Sequence, residues 1–123
     1  MIGYTTLGVS DMERSKKFYS DLFAEQGAKV QFDGGRIAFI GKSMAEPMVA
    51  VCVPYDEQAP SAGNGTMVAF TAGSKEAADK MHARALELGA TCDGAPGQRI
   101  PGMFYGAYVR DPDGHKLAFF DFS

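Results

Sequence analysis

One order of patterns occurs twice in this chain, and that repetition restricts its fold more than any other feature. Each half opens with a short strand-like run, continues through one amphipathic helix, and ends in three further strand-like runs. In the first half, Tyr4–Val9 (YTTLGV) alternates apolar with small or polar residues, as a half-buried strand does. Ser10 and Glu13 then stand at capping-box spacing ahead of a helix. Its apolar face carries Phe18, Tyr19, Leu22 and Phe23, and Gly27 is its stop. Short strands are expected at Lys29–Phe32, Arg36–Ile40 and Pro47–Pro54, divided by the turn-forming stretches DGG and GKSMAEP.

A polar, glycine-rich linker, Asp56–Gly65, precedes the second half. There Thr66–Ala72 (TMVAFTA) reads as a strand, and Ser74 caps a helix that should bury Ala78, Met81, Ala85 and Leu88 before Gly89 ends it. Three more strands are expected around Thr91–Cys92, at Met103–Arg110 and at His115–Phe122. The expected fold class is α+β, a single domain over 1–123 built from two tandem βαβββ units. The first repeat covers roughly 1–55, the linker 56–65, and the second repeat roughly 66–123. One helix covers only one face of four strands. Two such units side by side would form a curved mixed sheet around a concave cavity, a usual place for a small ligand.

A net charge of −3, with Lys and Arg scattered singly, builds no basic stripe, so nucleic acid is not an expected partner. No apolar run approaches the length that spans a bilayer, and MIGYTTLGVSDMERS lacks a charged leader followed by an apolar run. No membrane association and a cytoplasmic location are the expectations. Cys52 and Cys92 are then expected as free thiols. Cys52 lies inside an apolar run that would stabilise a thiolate poorly.

Three stretches in this order, LGVSDMERSKKFYSDLF, GTMVAF with its helix ending LELGA, and YVRDPDGHKLAFF, resemble the vicinal oxygen chelate superfamily. That group holds glyoxalases, bleomycin-resistance proteins, extradiol dioxygenases and fosfomycin-resistance enzymes, and the resemblance runs over essentially the whole chain. Its enzymes typically bind a divalent metal through His, Gln or Glu side chains, taken from the first strand of a repeat and the last strand after the DPDG turn. Such a cation polarises neighbouring oxygens of the substrate.

The resemblance places the metal-ligand positions at Tyr4, Met67 and Ala118. Strand alternation sends Leu7, Val9, Val68, Phe70, Leu117 and Phe119 toward the helices. Tyr4, Thr6 and Gly8 then face inward, as do Met67, Ala69 and Thr71, and Lys116, Ala118, Phe120 and Phe122. An unperturbed tyrosine stays protonated near neutral pH, a thioether prefers soft ions, and alanine has no donor. The usual metal site is missing. Of the two histidines, His115 reads as part of the turn and His82 as a residue on the surface of the second helix. Asp111 and Asp113 read as turn formers.

What remains is an aromatic, nearly uncharged inner surface. The expected ligand-binding set is Tyr4, Met67, Phe104, Tyr108, Ala118, Phe120 and Arg99, and no catalytic residue is assigned. Arg99 sits on Gly94–Phe104, read as a loop that is either a plain surface connection with a solvated arginine, the favoured reading, or a lid over the cavity with Arg99 able to meet an anion. The resemblance to bleomycin-resistance proteins implies metal-independent binding of a small organic molecule, aromatic ones included, by a homodimer without cofactor. Two alternatives stay open. One is a metal-dependent lyase, isomerase or dioxygenase of the glyoxalase type with unusual ligands. The other is a dimer without ligand, its concave face filled solid.

Overall fold

The computed structural model describes residues 1–123. The chain divides into two compact units, Met1–Ser61 and Ala62–Ser123, the boundary falling within the expected linker. Each unit has the βαβββ order that the repeat implied.

The first unit runs β1 (Tyr4–Gly8), α1 (Met12–Leu22), a 3₁₀ turn (Ala24–Gln26), β2 (Lys29–Asp33), β3 (Ile37–Gly41) and β4 (Met48–Cys52). Its sheet has the order β1-β4-β3-β2, with β1 parallel to β4 and the other pairs antiparallel. The central strand β4 is apolar throughout, MVAVC, because it has little solvent on either side; Ala50 and Val51 are fully buried. β1 alternates: Leu7 and Val9 are buried while Tyr4 and Thr6 are exposed. Helix α1 packs on β3 and β4 through Phe18, Tyr19 and Leu22, with Phe23 just beyond its end, the face that its spacing foretold.

The start of α1 differs from the sequence reading. Asp11, not Ser10, is the N-cap, and its Oδ1 accepts from the Arg14 amide at 3.0 Å. A carboxylate suits this position because it meets both the unpaired amides and the positive end of the helix. The Ser10–Glu13 capping box is therefore not the cap of this helix; Ser10 Oγ instead accepts from the Arg14 guanidinium at 3.1 Å.

The second unit runs β5 (Met67–Thr71), α2 (Lys75–Glu87), β6 (Thr91–Ile100), β7 (Phe104–Arg110) and β8 (Lys116–Asp121). The sheet order is β5-β8-β7-β6, with β5 parallel to β8. Leu117, Ala118 and Phe119 on the central β8 are fully buried, and Phe119 stacks on Phe70 at 6.1 Å between ring centroids. Ser74 caps α2 as expected, accepting from the Ala77 amide at 3.0 Å. At its far end Gly89 adopts φ 110, a conformation that a side chain would resist.

Two expectations fail here. His82 is not a surface residue: it is buried with Ala78, Met81 and Ala85, and its Nε2 lies 3.3 Å from Cys92 Sγ. It stands four residues after Ala78 and three before Ala85, which puts it on their face of the helix. Gly94–Phe104 is not a closing loop either. Most of it belongs to β6, paired to β7 through register shifts between Cys92 and Gly94, Gly94 and Gly97, and Gln98 and Ile100. Glycines and a proline at these irregularities gave the stretch a loop's composition while leaving it in the sheet.

The turn between β7 and β8 does follow the sequence reading. The buried Asp111 carboxylate accepts from the amides of Asp113 and His115, each at 2.9 Å, and so fixes the register that sets Arg110 opposite Lys116. Cys52 and Cys92 are free thiols, as expected. No helix is long and apolar enough to cross a membrane.

Replacing Phe119 by Ala removes a fully buried ring and its stacking partner, and unfolding in urea should show a loss of about 3–5 kcal/mol. A second outcome concerns pH. Burial pushes His82 below its ordinary value of 6.5, against an opposing pull from Asp79, so the folded state favours the neutral ring. Its contribution is complete above that ordinary value and is lost as pH falls below it, because the unfolded chain takes up the proton first. Stability measured by denaturant between about pH 7 and pH 5 should fall less steeply in His82→Asn than in the natural chain.

Candidate functional site

In each unit one sheet face lies against the helix and the other does not. On the second sheet, the pairing registers arrange the helix-free face in rows. Met67, Lys116 and Arg110 form the first, and Ala69, Ala118, Tyr108 and Gly94 the second. Thr71, Phe120, Gly106 and Gly97 form the third, and beyond them Phe104 stands opposite Ile100. The middle rows are floored by alanine and glycine, so a large side chain can lie flat across them.

Tyr108 does so. A Cβ on Gly94 would stand 2.7 Å from Tyr108 Cδ2. One on Gly106 would stand 3.3 Å from the Tyr108 hydroxyl and 2.8 Å from Phe104 Cε1. The ring thus runs from Gly94 toward Gly106, with its hydroxyl beside Phe104. Two cations flank it: Arg99 Cζ at 5.2 Å and Lys116 Nζ at 5.1 Å from the ring centroid. Gly97 leaves room for Arg99, whose Nη1 would stand 3.0 Å from a Cβ there, and whose Nη2 donates to the Ala95 carbonyl.

Charge on this side is unequal. Asp93 pairs with Arg110 Nε at 3.0 Å and with Lys116 Nζ at 3.3 Å. The hydrogen bond from Lys116 is the main reason its carboxyl is held below the usual carboxylate range, with Arg110 adding to it. Asp93 therefore serves two of three neighbouring cations. Past the tyrosine hydroxyl the surface turns aromatic. Phe104 and Phe120 stack nearly parallel, 5.2 Å apart at 6°, and Phe122 meets them edge-on at 5.9 and 4.8 Å while remaining 74% exposed.

The sheet thus brings together Met67, Phe104, Tyr108, Ala118, Phe120 and Arg99 of the expected set. Met67 is at the exposed edge strand, and Ala118 lies at the bottom of the floor. Tyr4 belongs to the first unit, where its ring meets Phe39 edge-on at 4.7 Å, with Phe32 6.1 Å beyond. Tyr4 is 52% exposed, so water can satisfy its hydroxyl.

The donor set does not fit a divalent cation. Ala118 has no donor, Met67 presents a thioether, and the Tyr4 ring leans on Phe39. No three His, Cys, Asp or Glu side chains converge anywhere in the chain. His82 and Cys92 meet on the helix side of the second sheet, and His115 is held in the β7–β8 turn.

Three contributors to this face escaped the sequence reading as site residues: Arg110, Asp93 and the glycines 94, 97 and 106. Counting back from the DPDG turn would have put Arg110 opposite Lys116. Gly94 and Gly97 were hidden because they were assigned to a loop, whereas Gly106 lay in the expected strand Met103–Arg110 without being read as part of a site. The site makes a direct prediction. Gly106→Ala should keep the fold but displace the Phe104 and Tyr108 rings, changing the near-ultraviolet circular dichroism while the far-ultraviolet spectrum is retained. The accompanying loss of stability should be about 1–3 kcal/mol.

Comparison with known proteins now bears on this geometry. The family model described as Glyoxalase/Bleomycin resistance protein/Dioxygenase superfamily matches residues 1–119. A solved glyoxalase/bleomycin resistance protein from Albidiferax ferrireducens T118 is 33% identical, with a TM-score of 0.86 over 98% of this chain and 97% of that one. A glyoxalase/bleomycin resistance protein/dioxygenase family enzyme from Burkholderia phytofirmans PsJN is 18% identical, with a TM-score of 0.81 over 98% of both chains. A glyoxalase-related enzyme from Fulvimarina pelagi is 21% identical, with a TM-score of 0.77 over 98% of this chain and 86% of that one. The last two likenesses speak to the fold alone. Comparison with curated proteins finds no match.

Proposed function

Because this chain belongs to the Glyoxalase/Bleomycin resistance protein/Dioxygenase superfamily, we propose that it binds a small organic molecule without a bound metal. Two observations together carry this reading. Positions where metal-binding relatives would offer donors hold Tyr4, Met67 and Ala118, and an aromatic surface extends beside the last of these. Phe104, Phe120 and Tyr108 supply flat apolar area, and the exposed Phe122 widens it. Aromatic walls with a few polar groups suit a planar or amphipathic ligand.

The chain's own residues would perform this task by stacking and hydrogen bonding alone. Phe104 and the exposed Phe122 present ring faces and edges, the buried Phe120 packs against both, and the Tyr108 hydroxyl supplies a polar group. A homodimer is part of the same proposal, since each sheet ends in strands with an unpaired edge, which invites association.

Calorimetric titration with the neutral aromatic 2-naphthamide tests the reading. Binding should be unchanged by EDTA and weakened about tenfold or more by Phe104→Ala combined with Tyr108→Ala. Elemental analysis of the dialysed protein should find no stoichiometric Zn, Ni, Fe or Mn; finding one would replace this reading with a metal-dependent reaction of the glyoxalase type. Light scattering should give twice the mass of one chain.

A further inference from the structure

Resting on that reading, we propose that the ligand is an aromatic anion, a planar ring bearing a carboxylate or its equivalent, and that Arg99 is the residue that selects it. Charge around Tyr108 is unbalanced. Arg99, Arg110 and Lys116 all reach this side of the sheet, against the single carboxylate of Asp93. Asp93 is engaged by Arg110 and Lys116, whereas Arg99 hydrogen-bonds the Ala95 carbonyl, lies over the Tyr108 ring and bears electrostatically on Tyr105, with no carboxylate paired to it. A guanidinium has five N–H donors, and one carbonyl cannot use them. The side chain is exposed, so its remaining donors are open to water or to a ligand.

The same side chain joins the cationic and aromatic regions. Tyr108 lies beside Arg99 and Lys116 along its ring, and its hydroxyl abuts Phe104, the first member of the Phe104–Phe120–Phe122 cluster. A benzene-sized ring set against that cluster directs a substituent along Tyr108 toward Arg99. The glycine and alanine floor lets the Tyr108 ring lie flat between the two regions. An amide or hydroxyl substituent would leave the excess positive charge unanswered; a carboxylate answers it, and an Arg can hold both its oxygens. The same charge argues against a second copy of this chain as the occupant, because a two-fold contact would bring like cations face to face.

The experiment compares 2-naphthoate with its neutral isostere 2-naphthamide by calorimetric titration of the full chain, at low and at high salt. The natural chain should bind the carboxylate about tenfold more tightly at low salt, with the gap narrowing as salt is added. Arg99→Gln should bring naphthoate down to the level of the amide, while Lys17→Gln, a surface cation paired with Asp21 on α1, should change nothing. Equal affinities for the two probes in the natural chain, or a preference that survives Arg99→Gln, would overturn the inference and leave the broader reading standing. Failure of both probes to bind would remove the broader reading with it. Probe affinity that falls as protein concentration rises would assign the face to a second copy and overturn the inference too.

Discussion

The structure depends on the pleat of one strand. On β8, Leu117 and Phe119 point to the helix while Ala118 and Phe120 point away, and the flanking strands are locked to that alternation on both sides. Because the side-chain period of a strand is two, a slip of one residue would put Phe119 outside and Ala118 in the core. Asp111 guards against this at the turn by accepting two amides just before the strand begins. Everything said of the ligand face inherits its residues from that register.

The two faces of the second sheet have separate chemistry. Toward α2 lie the fully apolar contacts of Leu117, Phe119 and Val109, together with the His82–Cys92 pair and the Tyr105 hydroxyl, which donates to Asp79 at 2.6 Å. That bond is the chief reason Tyr105 holds its proton more firmly than an ordinary tyrosine. On the other face lie the Phe104, Phe120 and Phe122 rings, the last of them exposed, and an uneven set of charges. The sheet separates the two sets, although Arg99 on one side still bears electrostatically on Tyr105 on the other. This is why the histidines, which would have been natural candidates for chemistry, belong to packing and to a turn.

Much of this was legible in the sequence, because it rests on periodicities that the chain writes twice. The repeat, both helices, the central strands and the inward parity of Tyr4, Met67, Tyr108 and Ala118 follow from alternation and helical spacing, which local sterics impose. What was not legible depended on tertiary context. The identity of the first N-cap turned on which of two adjacent acceptors, Ser10 or Asp11, took the extended conformation. His82 was misplaced because a lone polar residue beside Met81 looks like the edge of an apolar face, and only the presence of Cys92 opposite shows that it lies within. The long β6 was hidden by its own bulges: Gly94, Pro96 and Gly97 carry the composition of a loop but sit in a ladder whose partner compensates for each irregularity. With β6 misread, the floor beneath Tyr108 could not be seen either.

The glycines under that ring have a further consequence. Gly94, Gly97 and Gly106 contribute by what they omit, so any side chain gained at them pushes Tyr108, Phe104 or Arg99 out of place. Arg99 itself carries no backbone duty in the sheet beyond its own place in the strand. Descent from a gene of this kind therefore has a fixed stage and a changeable actor: under the proposed role of Arg99, new ligand preferences would be reached by exchanging residue 99, while the bare patch beneath it has almost no room to drift.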